Sequence, residues 1–349
     1  MSLLTTLDHF IHTNKKMAAL LAPFFIFLSS ACQAEDSMLK QKPYFTYRIE
    51  ASGALFESKV NGILLEKNVK GTNMVVEQPV NHYMRTGKNR IGFQLYTRTP
   101  GDFGEAKITI SLYVNQDEAH ESHKKLLSQV TFNAAAFAKN KQATDAIKSS
   151  MPAVKMNSTN DFLADENGDV IVHAPQIEQS KVRPTGLHVY QEIELQTPFP
   201  LWGFLSADKL DFPDAFAEYV KNIKHYDKTI IDGLYLEHEK VYQLFKNQKL
   251  SEILPLFAER NSEMDIAMYL PEGSYEKQLS SALQGDFDNK DSYLKLSDAE
   301  FAKPTVSDGK ELIRIGSPDM IRFADDENSI YDKYPIWFYK KDGKWIISR

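Results

Sequence analysis

The chain has 349 residues, 42% of them hydrophobic, with 41 Lys and Arg against 47 Asp and Glu and a formal net charge of −6. A chain of this length predicts two domains rather than one, and its hydrophobic content is that of an ordinary globular protein. The acidic balance, without an arginine-rich cluster, argues against a nucleic-acid partner, which would need a basic surface.

The N-terminus has the three-part pattern of a secretory signal. Lys15 and Lys16 supply a positive segment, residues 17–28 are almost entirely apolar, and small residues follow. A helix of that apolar length spans about 18 Å, which is too short to cross a hydrocarbon core of about 30 Å. We therefore predict that residues 1–31 are a signal peptide and that the protein is exported, to the periplasm or the outer membrane.

Cys32, the only cysteine, stands directly after this segment. A lone thiol cannot form an internal disulfide, so an anchor explains it better than a role in the fold. The segment resembles a bacterial lipoprotein signal, although Leu28 lies four residues before the cysteine rather than three. The resemblance implies that Cys32 is lipidated and anchors the protein to a membrane. The alternative is ordinary cleavage after Ala31 or Ala34.

The first half of the chain has the pattern of short β-strands. Segments rich in β-branched and aromatic residues are separated by turn residues such as Asn61 and Gly62. We predict an antiparallel β-sandwich over residues 40–205, with an irregular insertion near residues 135–185. The predicted strands cover residues 45–52, 55–65, 74–80, 90–98, 107–114, 169–173 and 188–196.

The turn sequences within this region carry a family resemblance. KVNGILL (residues 59–65) contains an Asn-Gly turn, and PVNHYMRTGKNRIGFQL (residues 79–95) contains the turn Gly87-Lys88-Asn89. Together they resemble the jelly-roll sandwich modules of bacterial surface proteins and glycosidase accessory domains. The resemblance implies the fold, and such modules act as spacers or as sugar binders.

The second half changes to a helical period. Asp211 is predicted to cap a helix with Pro213 in its first turn, and further helices are predicted over residues 228–247, 251–270 and 274–284. Strands are predicted over residues 311–316, 320–325 and 334–349. An Asp-Gly turn at Asp342 and Gly343 predicts the final hairpin. We therefore predict an α+β domain over residues 210–349.

The last hairpin, FYKKDGKWIIS (residues 338–348), resembles the closing hairpin of the nuclear transport factor/SnoaL-type cone. The resemblance implies helices followed by a curved antiparallel sheet that forms a cone. That family contains enzymes, ligand binders and structural subunits, so the resemblance does not name a function.

Three residues are candidates for ligand binding. His238 falls on an apolar helical stripe, where it is either a general base or a core histidine that is hydrogen-bonded to a neighbour or a carbonyl. Arg260 either receives an anionic ligand or pairs with Glu237 or Glu263. Trp202 is expected to be exposed, as an aromatic handle for a sugar.

No motif predicts catalysis, a metal or a cofactor. His120 and His123 stand three residues apart, but the sequence places no third nitrogen or sulfur ligand beside them. We therefore expect a non-catalytic envelope protein or lipoprotein that binds a protein partner, as an inhibitor, immunity or assembly factor. The alternatives are a carbohydrate or small-ligand binding module, and a hydrolase or isomerase that uses His238 in a cone cavity.

Overall fold

The computed structural model describes residues 42–97, 99, 102–115, 124–140, 147–150, 170–179, 186–210, 228–298, 304–316, 319–327 and 329–349. The chain divides into two units, Met1–Lys42 and Pro43–Arg349, and the features below belong to the second. The predicted signal peptide, Cys32 and the predicted helix cap at Asp211 lie outside the described residues. Within the described part, no helix has the length and apolar character needed to cross a membrane.

Two antiparallel sheets occupy the first part of the described chain. One has the order β4-β1-β6-β7-β8, and the other has the order β10-β11-β5-β2-β3, with β9 also paired to β11. The strands are β1 (Tyr44–Ser52), β2 (Leu55–Val60), β3 (Ile63–Asn68), β4 (Met74–Pro79), β5 (Gly87–Tyr96), β6 (Lys107–Asn115), β7 (Lys125–Asn133), β8 (Ile147–Ser150), β9 (Ile171–Val172), β10 (Gln176–Gln179) and β11 (Leu187–Leu195).

Alternation along the strands places one face of each sheet in a common core. In β1, Phe45, Tyr47 and Ile49 are fully buried, and Ile49 lies opposite Ile110 of β6. Successive side chains of a strand point to opposite faces, so every second residue enters the core. Phe93 of β5, in the other sheet, belongs to the same hydrophobic cluster. The two sheets are therefore packed on each other through their apolar faces.

The helices lie mainly between residues 228 and 288. They are α1 (Ala134–Asn140), α2 (Lys228–Lys246), α3 (Leu250–Ile253), α4 (Ala258–Ala267) and α5 (Ser274–Asp288), with short 3-10 turns at Asn81–Tyr83, Gly203–Ser206 and Leu254–Phe257. The predicted helix over residues 251–270 is interrupted, because Pro255 lies in the last of these turns and cannot donate a helical hydrogen bond. Leu256, in this turn, is 42% exposed.

The C-terminal part of the described chain forms two smaller antiparallel sheets, with the orders β12-β15-β16 and β13-β14-β17-β18. Leu234 and Phe245 of α2 share a second core with Phe338 and other apolar residues of these sheets. The strands are β12 (Tyr293–Leu296), β13 (Pro304–Val306), β14 (Ile313–Ile315), β15 (Ile321–Ala324), β16 (Ile330–Tyr334), β17 (Phe338–Lys341) and β18 (Lys344–Ile347).

The coarse fold prediction is confirmed, since antiparallel sheets dominate and several helices lie around residues 232–288. No sheet formed by the described residues is closed or curled. Contacts cross the predicted domain boundary near residues 205–210: Leu312, Trp337 and Tyr339 belong to the core of the first two sheets. Lys59 also forms an ion pair of 2.5 Å with Asp308. The division into two domains stays a prediction.

Gly62, in the turn between β2 and β3, provides a test of the contact between this turn and Asp308. Its φ is +78°, and a Cβ there would lie 2.7 Å from the Cβ of Asp308. Gly343 has almost the same φ, +76°, with nothing within 4 Å of an added Cβ. We expect Gly343→Ala to lower the free energy of unfolding by about 1–2 kcal/mol through left-handed strain alone. Gly62→Ala should cost a further ~1–3 kcal/mol, because the added atom overpacks the contact.

Urea denaturation of both variants and the wild type measures this difference. Equal losses in the two variants would show that the turn has room to move away from Asp308.

Candidate functional site

His238 is a buried core residue. Its side chain is fully buried on α2, and its ring lies 5.0 Å from the ring of Phe338, measured between centroids. The Nδ1 atom lies 2.9 Å from the carbonyl oxygen of Leu234, whereas Nε2 has no partner among the described residues. Burial lowers the pKa of His238, so the neutral form is favoured. The buried position predicted from the apolar stripe is confirmed.

Trp202 is also buried, so the expectation of an exposed aromatic handle was wrong. The indole Nε1 donates a hydrogen bond of 2.8 Å to the carbonyl of Met84, and the ring packs 5.6 Å from that of Phe199. Its neighbour Leu201 is 74% exposed instead. The segment after β11 turns its large aromatic side chains inward, because together they bury far more apolar area than one leucine.

Arg260 is half-buried on α4 and does not form either predicted ion pair. Its Nη1 donates a hydrogen bond of 3.0 Å to Oδ1 of Asn261, and its guanidinium lies 5.1 Å from the ring centre of Tyr275. Burial lowers the pKa of Arg260. Glu263 binds Arg349 instead, and Glu237 binds Lys240.

Glu263 and Arg349 form a buried ion pair that joins several elements. Oε1 of Glu263 accepts a 2.6 Å hydrogen bond from the backbone N–H of Gly203, and Oε2 accepts one from Nη1 of Arg349. Nη2 of Arg349 donates to the carbonyl of His82 at 2.8 Å. The pair therefore fixes α4, the turn Gly203–Ser206 and the turn Asn81–Tyr83 around the end of the last hairpin.

A pocket of about 210 Å³ lies at the edge of the five-stranded sheet. β1 contributes Tyr44 and Thr46 from its outward face, and β6 contributes Asn115, which lies opposite Tyr44 in the register. The remaining wall comes from the edge strand β4 and from the residue that precedes β7. The lining residues are Tyr44, Thr46, Glu77, Gln78, Pro79, Asn115 and Lys124.

The chemistry of the pocket is that of hydrogen bonding. Nε2 of Gln78 and Oδ1 of Asn115 are buried and have no hydrogen-bond partner among the described residues. Glu77 forms an ion pair with Lys124. Burial alone would raise the pKa of Glu77, but Lys124 and Arg48 together lower it. This carboxylate is therefore held ionised and is a poor proton donor.

Sequence reasoning missed this pocket. Its residues come from four separate segments, and in each of them the sequence carries only the ordinary alternation of an amphipathic strand. The unpaired amides of Gln78 and Asn115 become visible only when the strands are brought together. Among the described residues, no group of three or more His, Cys, Asp or Glu side chains is placed to hold a metal ion.

The lowered pKa of His238 predicts a pH dependence of stability. The unfolded chain binds a proton near the ordinary pKa of about 6.5, while the folded state binds it only at lower pH. Stability should therefore fall as the pH drops below about 6.5, by up to about 1.4 kcal/mol per pH unit. His238→Leu should retain the fold and show a shallower decline between pH 6.5 and pH 5 in urea denaturation.

Val241→Ala is the matched control, because it alters the same buried stripe without a titratable group. It should lower stability equally at every pH. An unchanged pH slope in His238→Leu would show that this histidine is not held neutral by the fold.

Comparison with known proteins identifies no relative. No protein-family model matches the chain, and no curated protein or solved structure matches it either. The functional conclusion therefore depends on the geometry described above.

Proposed function

We propose that this is an exported, non-catalytic binding protein, and that its ligand is a small, polar, uncharged molecule of about the size of one sugar ring. The observation that carries the proposal is the pocket between β1, β4 and β6, with the unpaired amide oxygen of Asn115 on the outward face of the sheet. This is the carbohydrate or small-ligand alternative that the sequence also raised.

The size of the pocket favours a small ligand. Its volume of about 210 Å³ lies below the range of roughly 300–1,000 Å³ that is typical of sites for drug-sized molecules. A single pyranose ring, or one residue at the end of a longer glycan, suits such a space better than an extended chain does.

The lining favours hydroxyl groups. A sugar hydroxyl both donates and accepts, so it can satisfy the unpaired amide oxygen of Asn115, which lies on the same face of the sheet as Tyr44 and Thr46. A buried polar atom without a partner costs about 1–3 kcal/mol, and a ligand that supplies the partner recovers that cost. The charges of Glu77 and Lys124 neutralise each other, which favours an uncharged ligand.

The same edge of the sheet supports a second candidate, the binding of a protein partner. β4 pairs with β1 on one side, and no other described strand covers its second side. Val75 on this strand is 67% exposed. An uncovered strand edge can accept a further strand from another chain, which is a recurring mode of protein recognition. An inhibitor, immunity or assembly factor would use the edge in this way.

We also propose a specific fold for each of the two parts of the described chain. We assign a β-sandwich to the first part, because its two sheets share one apolar core. We assign an α+β unit to the second part, on the packing of α2 against the sheet that contains β17. Neither assignment names a function by itself, so the binding proposal depends on the pocket.

We also propose export, with Cys32 as a lipid anchor. The support is the order of positive, apolar and small residues before Cys32. A protein anchored in this way would present its binding pocket within the cell envelope.

Isothermal titration calorimetry with single monosaccharides tests the ligand. We expect the mature protein to bind at least one neutral sugar of a panel that includes glucose, galactose, mannose and N-acetylglucosamine. Asn115→Ala should weaken binding by about three- to tenfold, which corresponds to one lost hydrogen bond of roughly 0.5–1.5 kcal/mol.

Gln129→Ala is the control, because Gln129 lies on β7, outside the pocket, and hydrogen-bonds Ser111 there. It should leave the affinity unchanged. The sugar proposal would be refuted if no neutral monosaccharide binds, or if Gln129→Ala weakens binding as much as Asn115→Ala does.

Intact-mass measurement of the protein from membrane and soluble fractions tests export. We expect the mature chain to begin near Cys32 with the mass of an added lipid, and Cys32→Ser to release the protein from the membrane. A mature chain that still begins at Met1 would contradict export, and unchanged membrane association of the variant would contradict the anchor.

A further inference from the structure

Tyr113 lies on the outward face of the five-stranded sheet, next to the proposed sugar pocket. It stands two residues before Asn115 on β6, so both side chains point to the same face, roughly 6.4–6.8 Å apart along the strand. Tyr113 also lies directly opposite Thr46 of β1, which lines the pocket. The ring of Tyr113 therefore adjoins the pocket, although it does not belong to the lining.

The side chain of Tyr113 is half-buried and is not engaged by another side chain. Among the described residues, its hydroxyl makes no hydrogen bond and its ring makes no aromatic or cation contact. Tyr190, on the outward face of the other sheet, differs in both respects. Its hydroxyl donates a 2.9 Å hydrogen bond to Glu178, and Arg90 lies 4.0 Å from its ring centre. Tyr113 thus keeps both the hydroxyl and the solvent-facing part of its ring for a ligand.

The row of side chains that contains Tyr113 is less polar than the row that follows it. Residues directly opposite one another in neighbouring strands point to the same face and lie in contact. From β4 to β7, the row with the tyrosine consists of Pro79, Thr46, Tyr113 and Leu126. The next row consists of Glu77, Arg48, Ser111 and Gln129. A ligand on Tyr113 would therefore have apolar surface beneath it and hydrogen-bonding groups at its side.

The charges beside this row compensate one another. Arg48 forms ion pairs of 2.7 Å with Glu50 and 3.3 Å with Glu77. Glu77 is also bound by Lys124 at the pocket. Two cations therefore face two carboxylates. A neutral ligand can lie across this face without leaving a charge unpaired, whereas a charged ligand would compete with these ion pairs.

We propose that the protein binds the end of a neutral oligosaccharide, with the terminal ring in the pocket and the second ring stacked on Tyr113. This inference rests on the sugar pocket proposed above and extends it by one subsite. The C–H groups on one face of a pyranose carry a slight positive charge and are attracted to the negative face of an aromatic ring. A single exposed aromatic residue is ordinary on a protein surface. The position of Tyr113 one strand repeat from Asn115, a step that two linked rings can span, is what supports the second subsite.

Calorimetric titration tests the second subsite by comparing each monosaccharide of the panel with disaccharides that end in it. The probes are cellobiose and maltose for glucose, lactose for galactose, mannobiose for mannose and diacetylchitobiose for N-acetylglucosamine. We expect at least one disaccharide to bind the wild type about three- to tenfold more tightly than its terminal monosaccharide, because one stacking contact is added. Tyr113→Ala should abolish this gain and leave the affinity for the monosaccharide unchanged.

Tyr331→Ala is the matched control. Tyr331 is 55% exposed and lies on β16, in another sheet, so this variant should bind both sugars like the wild type. Tyr113→Phe keeps the ring and should keep most of the gain. The melting temperature shows whether each variant is folded. If Tyr113→Ala does not fold, Tyr113→Leu keeps apolar packing against Leu126 without an aromatic face and should also lose the gain.

The second subsite would be refuted if no disaccharide binds the wild type more tightly than its terminal monosaccharide, or if the gain survives Tyr113→Ala. Loss of the gain in Tyr113→Phe or in Tyr331→Ala would also refute it. In each of these cases the pocket proposal still stands if a monosaccharide binds. Binding of a disaccharide through Tyr113 without binding of any monosaccharide would refute the pocket as an independent site and support the second subsite. Binding of neither class of sugar would overturn both.

Discussion

The buried ion pair between Glu263 and Arg349 is the interaction on which the arrangement of the described chain depends. A buried charge that loses its partner costs about 3–5 kcal/mol, whereas an intact buried pair adds little net stability compared with apolar residues. The pair therefore contributes more to fixing one arrangement of the segments around it than to overall stability. Its oxygens and nitrogens also bind the backbone at Gly203 and His82, so four segments must be in place together before both charges are satisfied.

The proposed pocket is connected to this junction. Asn81 lies in the turn Asn81–Tyr83, and its Oδ1 accepts a 2.6 Å hydrogen bond from the N–H of Phe45. The carbonyl of Pro43 accepts a 3.0 Å hydrogen bond from the hydroxyl of Tyr269, just after α4. The neighbour of both, Tyr44, lines the pocket at the sheet edge. The wall of that pocket is therefore positioned by the same contacts that hold the turn Asn81–Tyr83.

The sequence predicted the elements whose patterns are local. The alternation of β1, the apolar stripe of α2 and the Asp-Gly turn of the last hairpin are each formed by residues only a few positions apart in the chain. The strand β7, inside the first sheet, was missed, because Leu127 and Ser128 are both buried where its pairing with β6 shifts register, which breaks the alternation. The burial of Trp202 and the partner of Glu263 depend on residues far apart in the chain, and no local pattern records such contacts.

The contact between His82 and Arg349 spans 267 positions in the sequence. A ribosome makes the chain from its N-terminus, so the strands of the first two sheets are complete long before their last polar partner exists. The entropy of closing such a long loop adds only about 0.6 kcal/mol per doubling of its length, so the constraint is one of timing rather than of energy. Until residue 349 is synthesised, Glu263 and the carbonyl of His82 lack their hydrogen-bond partner.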